Sequence, residues 1–131
     1  MRARTMTATF AGLLVLVAIL VAAPFAQSAT NVHTATLSGS AAFPAVNGKA
    51  KFGVDDGVRQ LEVQIEDANA LKGQRLNIRV DGVFVGSAVV DQFGNARLRK
   101  SGSTIPAVHT GSKIVVRQAG TGTLVASGTF G

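Results

Sequence analysis

Apolar and polar residues alternate through almost the whole chain after Ser28, with interruptions at Gly, Asp and Asn. Successive side chains of a strand point to opposite faces, so a period of two indicates strands with one buried face. Short strands at this spacing indicate an all-β fold, either a small antiparallel β-sandwich or a partly open barrel. The predicted strands lie near 33–39, 48–55, 58–67, 74–80, 83–90, 95–101, 113–118 and 123–130.

Two stretches interrupt the alternation for longer. The best helical candidate, Glu66 to Leu71, is too short to form more than a turn. The longest connection, 101–111, contains Pro106 and His109. We expect this segment to cross from one sheet to the other.

The pair Asp-Gly at 56–57 predicts a two-residue hairpin turn, because both residues tolerate positive φ. This loop length places Phe52 opposite Leu61 on the inner face. It also places Lys51 opposite Glu62 on the outer face, an attractive pair of a few tenths of a kcal/mol. A three-residue loop would break this match.

A second Asp-Gly pair, at 81–82, predicts another hairpin by the same reasoning. Val80 then lies opposite Val83, and Ile78 lies opposite Val85. The two apolar sets again share the inner face.

A four-residue turn at 91–94, with Gly94 as its left-handed residue, would continue this hairpin into a third strand. Only an even loop length keeps Val89 opposite Ala96. The three strands are therefore expected to form a meander. For the last hairpin, around 120–122, loops of two and three residues both remain open.

On its outer face, this meander would place small residues between long cationic side chains, which makes a shallow trough with basic walls. Its two cross-strand rows are Arg75, Ala88 and Arg97, and then Asn77, Gly86 and Arg99. Guanidinium groups suit carboxylate or phosphate, and Phe84, opposite Arg79, would add an apolar or cation–π contact. The alternative is an ordinary solvated face. The ligand-binding candidates are Arg75, Arg79, Phe84, Arg97 and Arg99.

The formal net charge is +6, and it falls to +4 without the segment 1–28, which carries Arg2 and Arg4 and no acid. Such a charge favours weak attraction to polyanions without identifying a partner. The chain has no Trp and no Tyr, the side chains on which sugar rings usually stack. A nucleic-acid partner is not expected, because binders of single strands combine basic grooves with stacking aromatics and only Phe84 is placed to help.

Residues for catalysis or metal binding are few. His33 and His109 are the only histidines, and neither is accompanied by a motif that supplies a partner. The chain has no Cys, and Asp55 and Asp56 lack the alternating oxygen ligands of a calcium loop. We therefore predict no enzyme, no metal site and no cofactor.

The segment 1–28 predicts a secretory signal. It begins with two arginines, continues with an apolar run at 10–23, and ends in the small residues of Ala26-Gln27-Ser28. Cleavage after Ser28 would leave a single domain, 29–131, in a secreted or periplasmic location. Left uncleaved, the apolar stretch 8–26 is close to the length of a membrane anchor.

Two stretches of the sequence resemble known groups of proteins. The first is similar to the opening half of the chordin-type (CHRD) domains of secreted proteins; it comprises the sequences TLSG at 36–39, FPAV at 43–46, GKAKF at 48–52 and LEV at 61–63. The second, 80–96, resembles exported bacterial proteins of unknown function. Both resemblances imply an extracytoplasmic β-sandwich, and neither implies catalytic residues.

Together these observations predict a non-catalytic binding or structural module of the cell envelope or matrix. The expected partner is an anionic envelope polymer or an acidic protein surface, held by the four arginines named above. The alternative is association with another protein through an exposed sheet edge, including the last strand, which ends at Phe130-Gly131. A small hydrolase is the most distant possibility.

Overall fold

The computed structural model describes residues 30–131, so the predicted signal segment lies outside the described residues. These residues form eight antiparallel strands and one 3₁₀ turn, Asn69–Leu71. The strands are β1 (Thr30–Gly39), β2 (Asn47–Asp55), β3 (Val58–Glu66), β4 (Arg75–Val80), β5 (Val83–Val89), β6 (Ala96–Ser101), β7 (Lys113–Gln118) and β8 (Leu124–Thr129). Within 30–131, no helix is long and apolar enough to cross a membrane.

All eight strands belong to one sheet, in the order β5-β4-β7-β8-β1-β2-β3-β6. Its two edge strands, β5 and β6, lie side by side without ladder pairing, so the sheet curls into a nearly closed barrel. The all-β prediction is confirmed, and of its two forms the partly open barrel describes the molecule. Side chains close the seam: a Cβ placed on Gly86 would lie 3.0 Å from Leu98 Cδ1 and 3.1 Å from Lys100 Cε.

The β2–β3 hairpin has the predicted register. Phe52 lies opposite Leu61, and Lys51 lies opposite Glu62. The turn residues Asp56 and Gly57 have φ of 51° and 76°, as a two-residue turn with two left-handed positions requires.

The β4–β5 hairpin follows the prediction only near its turn. Val80 pairs with Val83, but Ile78 pairs with Gly86 and not with Val85. Val85 is the extra residue of a β-bulge between Ile78 and Arg79 on the partner strand. The predicted register is therefore wrong by one residue beyond the bulge.

The predicted meander is wrong, because β6 pairs with β3 and not with β5. The turn at 91–94 nevertheless has the expected geometry: the Gly94 N–H donates to Asp91 O, and Gly94 has φ of 82°. Pairing with either strand keeps Ala96 and Leu98 on the inner face, so alternation alone does not decide between them. The pairing with β3 adds an opposite-charge contact, since Arg99 lies opposite Glu62.

The last hairpin has a loop longer than either of the two lengths considered. Its closing residues are Gln118 and Thr123, so the loop comprises 119–122. Strand β8 contains a bulge near this loop: Val116 pairs with Ala126 and Arg117 pairs with Leu124, so Val125 is an extra residue in β8.

One apolar core fills the barrel, and connections close both of its ends. The segment 102–112 covers the end where β1 begins: Ile105 and Val108 are buried, and Arg59 Nη1 donates to Ile105 O at 2.8 Å. This segment passes from one part of the single sheet to another, and not between two sheets as predicted. Buried Leu71, in the 3₁₀ turn, lies at the other end.

The terminal strand β8 lies between β7 and β1 and has a neighbour on each side. Phe130, directly after it, is fully buried, and the Gly131 N–H donates to Thr34 O. The prediction that this strand offers an exposed edge is therefore wrong. The sheet edges of the described residues are β5 and β6.

Candidate anion-binding faces

The predicted trough does not form. The bulge at Val85 reverses the side-chain direction in the second half of β5, so Gly86 and Ala88 are buried and Ser87 points outward. The small residues expected to line the trough thus belong to the interior. The five candidate residues separate into two groups: Arg97 and Arg99 on β6, and the remaining three on β4 and β5.

Arg97 and Arg99 point toward β3, where they share one carboxylate. Glu62 Oε2 lies 3.3 Å from Arg99 Nε and 3.9 Å from Arg97 Nε. The glutamate side chain is only 18% exposed, whereas the two arginine side chains are 59% and 57% exposed. The carboxylate thus lies low between two exposed guanidinium groups.

Two lysines complete this arrangement from the other side of β3. Lys51 lies opposite Glu62, and Lys49 lies opposite Gln64, which in turn lies opposite Arg97. A depression of about 250 Å³ opens here, lined by Lys49, Ala50, Lys51, Glu62 and Gln64. We call this surface the β2–β3–β6 face; its members are Lys49, Lys51, Glu62, Gln64, Arg97 and Arg99.

Strand geometry fixes the layout of the four cations of this face. Residues two apart on a strand are separated by about 7 Å, and β2 and β6 are separated by roughly 10 Å because β3 lies between them. The Cα atoms of Lys49, Lys51, Arg97 and Arg99 therefore mark the corners of a rectangle. The four cations and the carboxylate of Glu62 have formal charges that sum to plus three.

The other candidates lie on β4 and β5. Arg79 lies opposite Phe84, as predicted, with its Cζ 5.7 Å from the ring centroid. Arg75 lies opposite Val89, and its Nη1 donates to Ser87 Oγ at 3.1 Å. We call the outer surface of these two strands the β4–β5 face.

The two histidines lie at the end of the barrel where β1 begins. His33 Nδ1 lies 3.2 Å from Gly131 O, and its ring centroid lies 6.5 Å from that of Phe52. His109 Nδ1 lies 3.4 Å from Ser112 Oγ. Within 30–131, no three His, Cys, Asp or Glu side chains come together in a way that could hold a metal ion.

Sequence reasoning missed a polar junction around Asp81. Its Oδ1 accepts the Lys113 N–H at 2.9 Å, and its own N–H donates to Lys113 O. The Lys113 N–H, the Ser112 hydroxyl and the charge of His109 together lower the pKa of Asp81 below its ordinary value, against a small opposing effect of desolvation. Ser112 is only 1% exposed. The contacts of Asp81 therefore connect the 102–112 segment to the turn of the β4–β5 hairpin.

Sequence reasoning also missed Lys49, Lys51 and Glu62 as members of a cationic face. The sequence offered one sign of this face: the predicted β2–β3 hairpin pairs the outward-facing Glu62 with Lys51. Extending that row to the next strand requires knowing that β6 is the other neighbour of β3.

No known family matches the chain, and no curated protein sequence matches it.

Proposed function

We propose that this protein is a non-catalytic binding module that holds an anionic polymer against its β2–β3–β6 face. The observation that carries the proposal is the placement of Arg97 and Arg99 on the same outer face as Lys49 and Lys51, with Glu62 on the strand between them. Four cations from two separate segments of the chain meet on one outer surface.

The contact with Glu62 leaves the arginines able to bind a second anion. The carboxylate lies beside the Nε atoms of Arg97 and Arg99. The Nη1 and Nη2 groups remain for a sulfate, phosphate or carboxylate, which they can bind in a bidentate manner. The lysines contribute compact point charges that tolerate varied anion positions.

The openness of the face favours a polymer over a small anion. Pockets for small molecules bury most of the ligand surface, whereas the arginine side chains here are more than half exposed. Exposed ion pairs contribute about 0–1 kcal/mol each, so useful affinity requires several contacts along one chain. An extended polyanion supplies them.

The proposed location is the extracytoplasmic side of the cell, as a secreted or envelope-associated protein. This part of the proposal is supported by the sequence of the segment 1–28, and the resemblance to chordin-type domains stays a prediction alongside it.

The test is elution of the purified protein from a dextran sulfate column over a salt series. The variant Arg97→Gln/Arg99→Gln is compared with Lys113→Gln/Arg117→Gln, which loses the same charge from β7. We expect the Arg97→Gln/Arg99→Gln variant to elute at a markedly lower salt concentration than the control. The slope of the logarithm of its binding constant against the logarithm of the salt concentration should be shallower by roughly one unit per lost contact. Equal shifts for both variants would refute a localised site.

A further inference from the structure

Exposed apolar side chains concentrate on and after β5. Among the described residues, six large apolar side chains are exposed: Val32, Val58, Val83, Phe84, Val89 and Phe93. Four of these six fall within the segment 83–93, and Phe93 is the most exposed at 70%. Single exposed apolar residues are ordinary, but a cluster on one strand marks an interaction surface.

On the outer face of the β4–β5 hairpin, each of the two exposed apolar side chains of β5 lies opposite an arginine of β4. Phe84 lies opposite Arg79, and Val89 lies opposite Arg75. Between these two pairs, Ser87 lies opposite Asn77. The β4–β5 face therefore carries two pairs of an arginine and an apolar side chain, separated by the polar pair of Ser87 and Asn77.

Cations and acids both surround this face. On the far side of β4, the exposed Arg117 lies opposite Asn77. At the end near Val89, the acids Glu66 and Asp91 line one depression with Val89 and Arg97, and Asp81 lies at the other end. Backbone N–H groups bind Asp81 and Asp91. Asp81 Oδ1 accepts the Lys113 N–H, and Asp91 Oδ1 accepts two N–H groups of its own turn.

This charge pattern identifies the occupant. A second copy of the chain would bring Arg75 and Arg79 against an equally cationic surface, and like charges at an interface oppose association. A segment with apolar residues and carboxylates side by side would cover Phe84 and Val89 and pair with both arginines. Apolar burial supplies affinity, and the charges supply orientation and partner choice.

We propose that the β4–β5 face docks an extended, acidic and apolar segment of another protein. Phe84 and Val89 form its apolar contact. Arg75 and Arg79 bind the carboxylates of the segment. The β4–β5 and β2–β3–β6 faces share no residue, and they adjoin at one depression that Val89 lines together with Gln64 and Arg97.

The test uses the full protein and a fluorescein-labelled peptide of alternating Leu and Glu, with anisotropy as the readout. A Leu-Lys peptide and a Ser-Glu peptide serve as probes of charge and of apolarity. The variant Phe84→Ser/Val89→Ser removes two apolar side chains that are 49% and 48% exposed. Its matched control is Val32→Ser/Val58→Ser, where the exposures are 44% and 43%.

We expect the Leu-Glu peptide to bind better than either other peptide. Its affinity should fall about tenfold in the Phe84/Val89 variant, given the apolar area lost, and stay unchanged in the control. Equal loss in both variants, equal binding of the Leu-Lys peptide, or no binding of the Leu-Glu peptide would overturn the proposal. Sedimentation provides a further check. Concentration-dependent dimerisation that the Phe84→Ser/Val89→Ser variant abolishes and the control variant keeps would also overturn the proposal, because a second copy of the chain would then occupy the face.

Discussion

Arg99 Nε lies 3.3 Å from Glu62 Oε2, in a pair that joins strands from separate parts of the chain. Lys51 lies on the opposite side of the same glutamate. One carboxylate thus stands between cations on both neighbouring strands. The β2–β3–β6 face depends on this relationship, because Glu62 holds the arginines in place while their outer nitrogens stay accessible.

The role of Glu62 can be separated from its charge. Glu62→Gln and Glu66→Gln each remove one negative charge from β3, but it is Glu62 that lies beside Arg97 and Arg99. Long-range electrostatics alone predicts tighter polyanion binding in both variants. We expect binding by Glu62→Gln to be at least about fivefold weaker than by Glu66→Gln, because ordering two released arginines costs roughly 0.5–1.5 kcal/mol each.

The measurement is titration calorimetry with dextran sulfate at one fixed salt concentration. Equal tightening in the two variants would show that Glu62 contributes only its charge. Thermal melting of both proteins provides the control for folding.

The junction at Asp81 predicts a pH dependence of stability. The Lys113 N–H, the Ser112 hydroxyl and the charge of His109 hold the pKa of Asp81 below its ordinary value of 3.8. A depressed pKa in the folded state stabilises the protein above the unfolded-state pKa, and this contribution is lost as pH falls through the folded-state pKa. The advantage of the parent over Asp81→Asn should therefore shrink as pH falls below about 4.

Urea unfolding across a pH series checks this prediction. Ser112→Ala removes one of the groups that lower the pKa of Asp81, so its pH dependence should lie between those of the parent and Asp81→Asn. Parallel loss of stability in the parent and Asp81→Asn as pH falls would contradict the assignment.

The seam between β5 and β6 predicts a steric constraint at Gly86. A Cβ there would lie 3.0 Å from Leu98 Cδ1 and 3.1 Å from Lys100 Cε, closer than ordinary packing allows. Overpacking typically costs about 1–3 kcal/mol, and the φ of 156° at Gly86 adds backbone strain for any L side chain, so Gly86→Ala should lower the free energy of unfolding by at least about 1 kcal/mol. Ser87→Ala, on the same strand, should change it by less than about 0.5 kcal/mol. Equal stabilities would mean that the seam is wider than the structure shows.

The β2–β3 hairpin shows what local sequence can predict. Its Asp-Gly turn, its inner apolar pairs and the outer pair of Lys51 and Glu62 all favour one register, and that register is observed. The strand count was predictable for the same reason, since each strand carries its own alternation. All of these signals operate between neighbours in the sequence.

Two features escaped prediction because their causes are not local. The bulge at Val85 places one extra residue in β5, and the close packing of Gly86 against Leu98 across the seam accompanies it. The pairing of β6 with β3 depends on a strand from a distant part of the sequence. Alternation is satisfied equally by either neighbour, so it predicts which residues are buried and not which strands meet.

The candidate site was affected by both features together. Arg97 and Arg99 were correctly placed on an outer face, but their neighbours are Glu62 and Gln64 on β3 and not Gly86 and Ala88. Arg79 and Phe84 were correctly paired because they lie between the turn and the bulge. A cationic surface was therefore predictable from the sequence, and its division into two faces was not.

NMR on ¹⁵N-labelled protein titrated with short dextran sulfate can locate a bound polyanion on the β2–β3–β6 face. We expect amide shifts to change most at Lys49, Lys51, Gln64, Arg97 and Arg99. The amide shifts of Arg75, Arg79, Lys113 and Arg117 should stay nearly unchanged. Equal changes at all exposed cations would show that the basic charge is diffuse, and this would contradict the proposed function.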